Sequence, residues 1–358
     1  MRNIARILFY HIRLKKAIHK SKINKFLKKY TKNAEQFRLR VLIAFMVCVK
    51  LIVVAIKIQT KEDVFMKYII ENDKLRVGLN TYAAELTSIY SKVTEKEYMW
   101  QPGAEIWPVH SILLFPNPGR IAHDRTIIGG KVYPATMHGF AKDMEFTAVE
   151  ATNEKVVLEL ASNEKTKFYL PYEFIFRVIF ELCGDVLEQR FEVVNKDDKD
   201  VYFCLGAHPG FYCPIELGES GDDYVLRFDP PQHFNRNETE KGTRLLTGKQ
   251  TPVVLENGTD MFVGEKFFND DPKIFSEIDA DTITLLSKKS GRFVEMGIKG
   301  FPHMCLWGVP DKMQILSIEP WCGMNDFTGT DHVWEKKPGI QKAEVGGVWN
   351  GKLTFRVG

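Results

Sequence analysis

From residue 66 onward, apolar and polar positions alternate in short runs. In YEFIFRVIFEL, residues 172–182, Tyr172, Phe174, Phe176, Val178, Phe180 and Leu182 share one side. Glu173, Arg177 and Glu181 share the other with Ile175 and Ile179. A period of two describes a strand with one face against a core. KVVLELAS, TITLLSK, FVEMGIK, MCLWGV, QILSIEPW and LTFRV repeat the theme. VLEQRFEVVNKDDKDVYFCLGAH predicts two strands joined by a polar turn, Asn195 to Asp200, and LGAHPGF (205–211) reads as a rigid turn around Pro209 and Gly210. The clusters NKDDKD, FNDDP and SKKSG separate the runs. No long stretch repeats at 3.6 residues. The expected class is therefore all-β, with stacked, mainly antiparallel sheets. Residues 66–358 contain no internal repeat or linker and are expected to form one domain.

Charge changes the picture at the N-terminus. Of the 49 Lys and Arg and 46 Asp and Glu in the 358-residue chain, residues 1–65 hold 16 and 3. The rest of the chain is therefore acidic, which argues against nucleic acid as a partner. The run VLIAFMVCVKLIVVAIKI (41–58) is interrupted by Lys50 and is shorter than the roughly 20 residues of a bilayer span. Residues 1–65 carry two expectations. One is a membrane anchor. The preferred one is a translated leader ahead of a true start at Met66, because Lys61-Glu62-Asp63 can be encoded by a ribosome-binding sequence. A domain without that anchor is expected in the cytoplasm. The six cysteines form no CxxC pair and show no zinc spacing, so buried reduced thiols are expected.

Four stretches place polar residues where a sheet protein favours bland ones: LLFPNPGRIAHDR with Arg120, MHGFAKDMEF with His138, GAHPGF with His208, and LSIEPWCGMNDF with Glu319, Trp321 and Asp326. Each has an ordinary explanation. Arg120 alone reads as a surface charge, His138 or His208 as a satisfied structural histidine, and Trp321 as core. Glu319, read as a strand end between Ile318 and Pro320, is the hardest to dismiss. An acid in an apolar strand pattern must be paired or working.

Taken together, FPNPGRI, HGFAKDMEF, GAHPGF and IEPWCGMND, in that order, resemble the aldose 1-epimerase (galactose mutarotase) family. The closest likeness is to its lactose-operon-type branch in Gram-positive bacteria. The resemblance covers nearly all of residues 66–358. It implies a galactose-mutarotase-like β-supersandwich with a sugar cleft. His208 matches the family's general acid, Glu319 its general base, and Arg120 and His138 its substrate-positioning residues. The family's substrate-binding Asp is assigned to Asp270 or Asp271 in FFNDDPKIF, with Asp271 preferred. The chain departs from the larger mutarotases in reading HGF where they read HGG.

These residue types suit anomer interconversion. Ring opening removes the proton of the C1 hydroxyl and protonates the ring oxygen. A carboxylate, ordinarily ionised at neutral pH, takes one proton, and an imidazole gives the other. Trp307 or Trp321 could offer an apolar face to the sugar. The expected partner is an aldohexose, with a homodimer as a further expectation, and neither metal nor redox cofactor is needed. Three alternatives stand beside this reading. A sugar-phosphate epimerase would need added Arg or Lys in the cleft. A binding module would have no use for an acid–base pair. A jelly-roll metal protein would show tight His-x-His spacing.

Overall fold

The computed structural model describes residues 67–102, 106–268, 272–309 and 314–358. The expectations for residues 1–65, and for Asp270 and Asp271, lie outside the described residues. Phe65–Gly358 groups into one compact unit. Among the described residues, no helix is long and apolar enough to cross a membrane.

The all-β expectation holds. Among the described residues, one nine-stranded and one seven-stranded sheet dominate, beside a four-stranded and two small two-stranded sheets, and the pairings within these sheets are antiparallel. Among the described residues, helix is limited to one turn, Glu164–Lys167, and short 3-10 turns.

The nine-stranded sheet shows how the sequence builds it. Phe174–Cys183 and Val186–Asn195 form a hairpin in which Phe174, Phe176, Val178, Phe180 and Leu182 are buried. The opposite face carries charge and ties itself together across strands. Arg177 reaches Glu159 at 2.7 Å and Glu192 at 3.2 Å. Alternation and cross-strand ion pairs thus act together.

The seven-stranded sheet carries the site. Its strands, in chain order, are β1 (Ser111–Leu114), β2 (Leu205–Tyr212), β3 (Asn235–Thr239), β4 (Leu246–Pro252), β5 (Lys273–Ser276), β6 (His303–Gly308) and β7 (Ile315–Cys322). Their spatial order is β4-β3-β5-β6-β7-β2-β1. One face packs into the main core through Leu205, Ala207, Phe211, Met304, Leu306, Leu316 and Ile318. Just beyond β1, Phe115 stacks on Phe176 of the large sheet at 4.4 Å, bridging the two layers.

Two expectations change here. LGAHPGF is not a turn but the body of β2, paired with both β1 and β7. Glu319 is not at a strand end but inside β7. The predicted strand after Asp200 also divides. Val201–Phe203 pairs with Gln341–Ala343, and β2 begins at Leu205 in another sheet. Propensity cannot report such a change of partner, because both pieces are equally apolar.

Gln189 lies on the core side of Val186–Asn195, and neither of its amide atoms has a partner. An unpaired buried amide costs roughly 1–3 kcal/mol. Gln189→Met should therefore raise the unfolding free energy by about that amount in denaturant titration. A loss of stability would mean that an internal water satisfies the amide.

Candidate active site

Register brings the two ends of the chemistry together. Gly206 pairs with Trp321 and Gly210 with Ser317. Counting inward along both strands puts His208 opposite Glu319. Pro209 has no N–H to give the ladder, so β2 and β7 are not bonded between those pairs. Directly opposed side chains on an antiparallel pair share a face and stand about 4.5–5.5 Å apart at Cβ. The result is a contact of 3.2 Å between His208 Nε2 and Glu319 Oε1. The row continues through Cys305 on β6 and Ile274 on β5. It forms the floor of a cavity of about 170 Å³.

Hydrogen bonds determine where the protons sit. The Ser317 hydroxyl donates to the Pro209 carbonyl at 2.8 Å. Its oxygen, 2.8 Å from His208 Nδ1, must therefore accept from Nδ1–H. This leaves Nε2 facing Glu319. Burial pushes the His208 imidazole down to about 3 and the Glu319 carboxyl well above the usual carboxylate range. The Cys305 thiol and the Trp321 indole oppose the Glu319 shift more weakly. Burial thus favours the neutral form of both groups. It works against the expectation of a carboxylate ionised at neutral pH, since Glu319 is 1% and His208 8% exposed.

His138 enters from the loop after Lys131–Pro134. The Gly119 N–H donates to its Nδ1 at 3.1 Å, and the His138 N–H donates back to the Gly119 carbonyl at 3.1 Å. Burial, helped by the charges of His208, Lys142 and Arg120, holds the ring well below its usual range. It is therefore a neutral imidazole whose remaining proton is on Nε2. Its backbone is left-handed, φ 65°, a strain of about 1–3 kcal/mol that the two bonds to Gly119 hold in place.

Arg120 lines the same cavity, and its buried Nε has no partner. Its position is set by the loop after β7. Asn325 Oδ1 accepts from the Arg120 N–H at 3.0 Å, and the Asp326 N–H donates to the Arg120 carbonyl at 2.9 Å. Gly119 must be glycine here, because a Cβ would lie 1.6 Å from Asn325 Oδ1. Asp326 also accepts from the Ala122 N–H at 2.9 Å and from Lys337 Nζ at 2.6 Å. Asp326 therefore anchors the arginine loop and is not on the cavity wall.

The structure gathers Arg120, His138, His208, Glu319 and Trp321 around one cavity. Trp321 is 1% exposed and packed among Leu114, Leu246, Ile274, Cys305 and Met324, so it forms floor more than platform. Trp307, half-buried, presents its ring on the wall. Sequence reasoning missed Ser317, Cys305, Arg244 and Trp107. Ser317 was findable, since it lies two residues from Glu319 on the same strand face. Trp107 and Arg244 come from loops and gave no such signal. Of the cysteines, Cys204, Cys213, Cys305 and Cys322 are buried and unpaired as expected, whereas Cys183 is exposed.

The sequence pattern of aldose 1-epimerases matches residues 66–323. The chain belongs to the aldose 1-epimerase family. It is 29% identical over 279 residues to plasmid protein LacX of Lactococcus lactis subsp. lactis, covering 76% of this chain and 93% of LacX. Among solved structures it is similar to a galactose mutarotase related enzyme from Lactobacillus acidophilus, with TM-score 0.77 and 30% identity over 82% of this chain and 97% of that one. It is also similar to a galactose mutarotase-like protein from Lactobacillus casei, with TM-score 0.76 and 26% identity over 82% and 100%. The expected family and mutarotase-like fold are thereby established.

Two measurements probe the site's supports. Lys337 and Asp326 are 3% and 9% exposed. Lys337→Met strands a buried carboxylate and should cost about 3–5 kcal/mol. Lys299→Met, in a pair 83% and 57% exposed, should cost under about 1 kcal/mol. Equal losses on chemical denaturation would contradict the anchoring role. The second measurement is of pH dependence. His208 binds a proton less readily folded than unfolded, so its contribution is full above its ordinary value near 6.5 and falls as pH drops toward about 3. His208→Asn should therefore flatten the acid-side decline of Tm across that window, and an unchanged slope would place the ring in a better-solvated setting.

Proposed function

We propose that this member of the family is a cofactor-independent aldose 1-epimerase that interconverts the α and β anomers of a free aldohexose. The observation that carries the reading is the His208–Glu319 contact on the floor of a cavity also lined by Arg120 and His138. The pair shares one mobile proton. With it on Nε2, the pair is an imidazolium and a carboxylate, the arrangement needed to act on a closed ring. Glu319 takes the C1-hydroxyl proton as His208 protonates the ring oxygen, and the C1–O5 bond breaks. The pair is now neutral, the form that burial favours, so desolvation works toward the open aldehyde. Rotation about C1–C2 and the reverse transfers close the other anomer.

Arg120 and the Nε2–H of His138 supply donors to sugar oxygens and to developing negative charge. Asp271, a proposed further contact to the sugar, awaits its own substitution test. Arg244 adds a second guanidinium to the wall, and this is the observation that keeps a sugar phosphate as the alternative substrate.

Anomer equilibration followed by polarimetry or NMR on galactose, glucose and glucose 6-phosphate tests both readings. Glu319→Gln and His208→Asn should each lower kcat by at least about 10²-fold. Unchanged rates would refute the assignment, and a change in KM alone would make the two residues binders. Faster turnover of glucose 6-phosphate than of the free sugars would move the substrate to the phosphate.

A further inference from the structure

The ring of His208 is held on its face as well as at its two nitrogens. Trp107 stacks on it with ring centroids 4.9 Å apart and planes 27° from parallel. Trp307 meets it edge-on at 6.2 Å and touches Trp107 at 5.7 Å, so the imidazole sits in an aromatic corner. The corner is built in. The Trp107 carbonyl accepts from the Trp100 indole N–H at 3.0 Å, fixing the backbone of the stacking residue. Gly210, two residues past His208, makes room for the indole and for Ile315, since a Cβ there would lie 2.7 Å from Ile315 Cδ1 and 2.8 Å from Trp107 Cζ3. The glycine of HPGF is thus matched to a tryptophan far away in sequence.

We propose that Trp107 is a positioning residue for His208: its indole face holds the imidazole in line with Glu319 and favours the charged ring, biasing the shared proton toward Nε2. The inference rests on the acid–base reading above. The physical ground is the attraction of a cation to the negative face of indole, the strongest such face among the side chains. The other charged or titratable groups around the ring are Glu319, His138 at 5.7 Å, Cys305, Arg120 and Arg244. The two arginines oppose an imidazolium, and His138 is neutral. Glu319, the Ser317 oxygen that accepts from Nδ1–H and the Trp107 face therefore favour charge on His208, and of these Trp107 alone acts through the face of the ring.

Trp107→Leu, with Trp107→Phe as the variant that keeps an aromatic face, tests this. Trp107→Leu should lower kcat about tenfold with KM changed less than about twofold, and Trp107→Phe should keep most of the rate. Removing a group that stabilises the imidazolium makes the pair lose its proton more readily, so the alkaline limb of kcat should move to lower pH. In the protein without sugar, the acid-side titration of His208 Nε2 followed by its ¹⁵N shift should move to lower pH in Trp107→Leu alone. An unaltered kcat and Nε2 titration, or a rise in KM only, overturns the proposal, the latter making Trp107 a platform for the sugar. Because the Nε2 titration needs no turnover, it decides the role of Trp107 even if no aldose proves to be a substrate.

Discussion

The structure depends on one close contact in a buried place: an imidazole and a carboxyl group facing each other across two antiparallel strands. Burying either group alone in charged form would be costly, since desolvation of an isolated ion outweighs most local compensation. Together, with a single proton between them, they can be neutral at rest and charged when a polar ring lies over them. That exchange needs no large motion, only the displacement of a proton along a 3.2 Å contact. The surrounding fold keeps that distance short and that proton in play.

The scaffold does this by dividing labour between the two faces of one sheet. Residues of β2, β6 and β7 that point one way enter the inter-sheet core, and their alternates form the cavity floor. The core side is rigid because it is packed against a second sheet rich in Phe, with Phe115 as the bridge. Phe115 also begins the loop that carries Arg120, so aromatic packing and substrate-side placement are joined in a few residues. On the cavity side, Asn325 and Asp326 clamp that loop from the far end of β7. The groups proposed as acid, base and sugar contacts are all tied to a single strand pair.

The histidines show how the same residue type is put to different use. His208 gives its Nδ1 proton to Ser317 and turns Nε2 toward the carboxyl group, whereas His138 receives a backbone N–H at Nδ1 and keeps its proton on Nε2. The proposed reaction accordingly has one exchange a proton and the other donate a hydrogen bond. Burial lowers the proton affinity of both, so the difference lies in the neighbours at Nδ1.

Much was legible in the sequence for physical reasons that are local. Alternation in 172–182 specified a half-buried strand, and a lone acid among Leu316, Ile318 and Trp321 marked Glu319 as paired or working. Motif likeness placed Arg120, His138 and His208 in the same family site. What sequence did not disclose was pairing. LGAHPGF looked like a turn because Pro and Gly are common in turns, yet the structure uses the proline to open the ladder and the glycine to admit Trp107. Ser317, Trp107 and the ionic anchor Asp326–Lys337 acquire meaning only when distant segments meet. Local composition determined which segments become strands and which residues bear chemistry; tertiary structure decided register, and with it which groups touch, how dry they are and where the protons reside. Those depend on contacts between residues far apart along the chain, which no local pattern encodes.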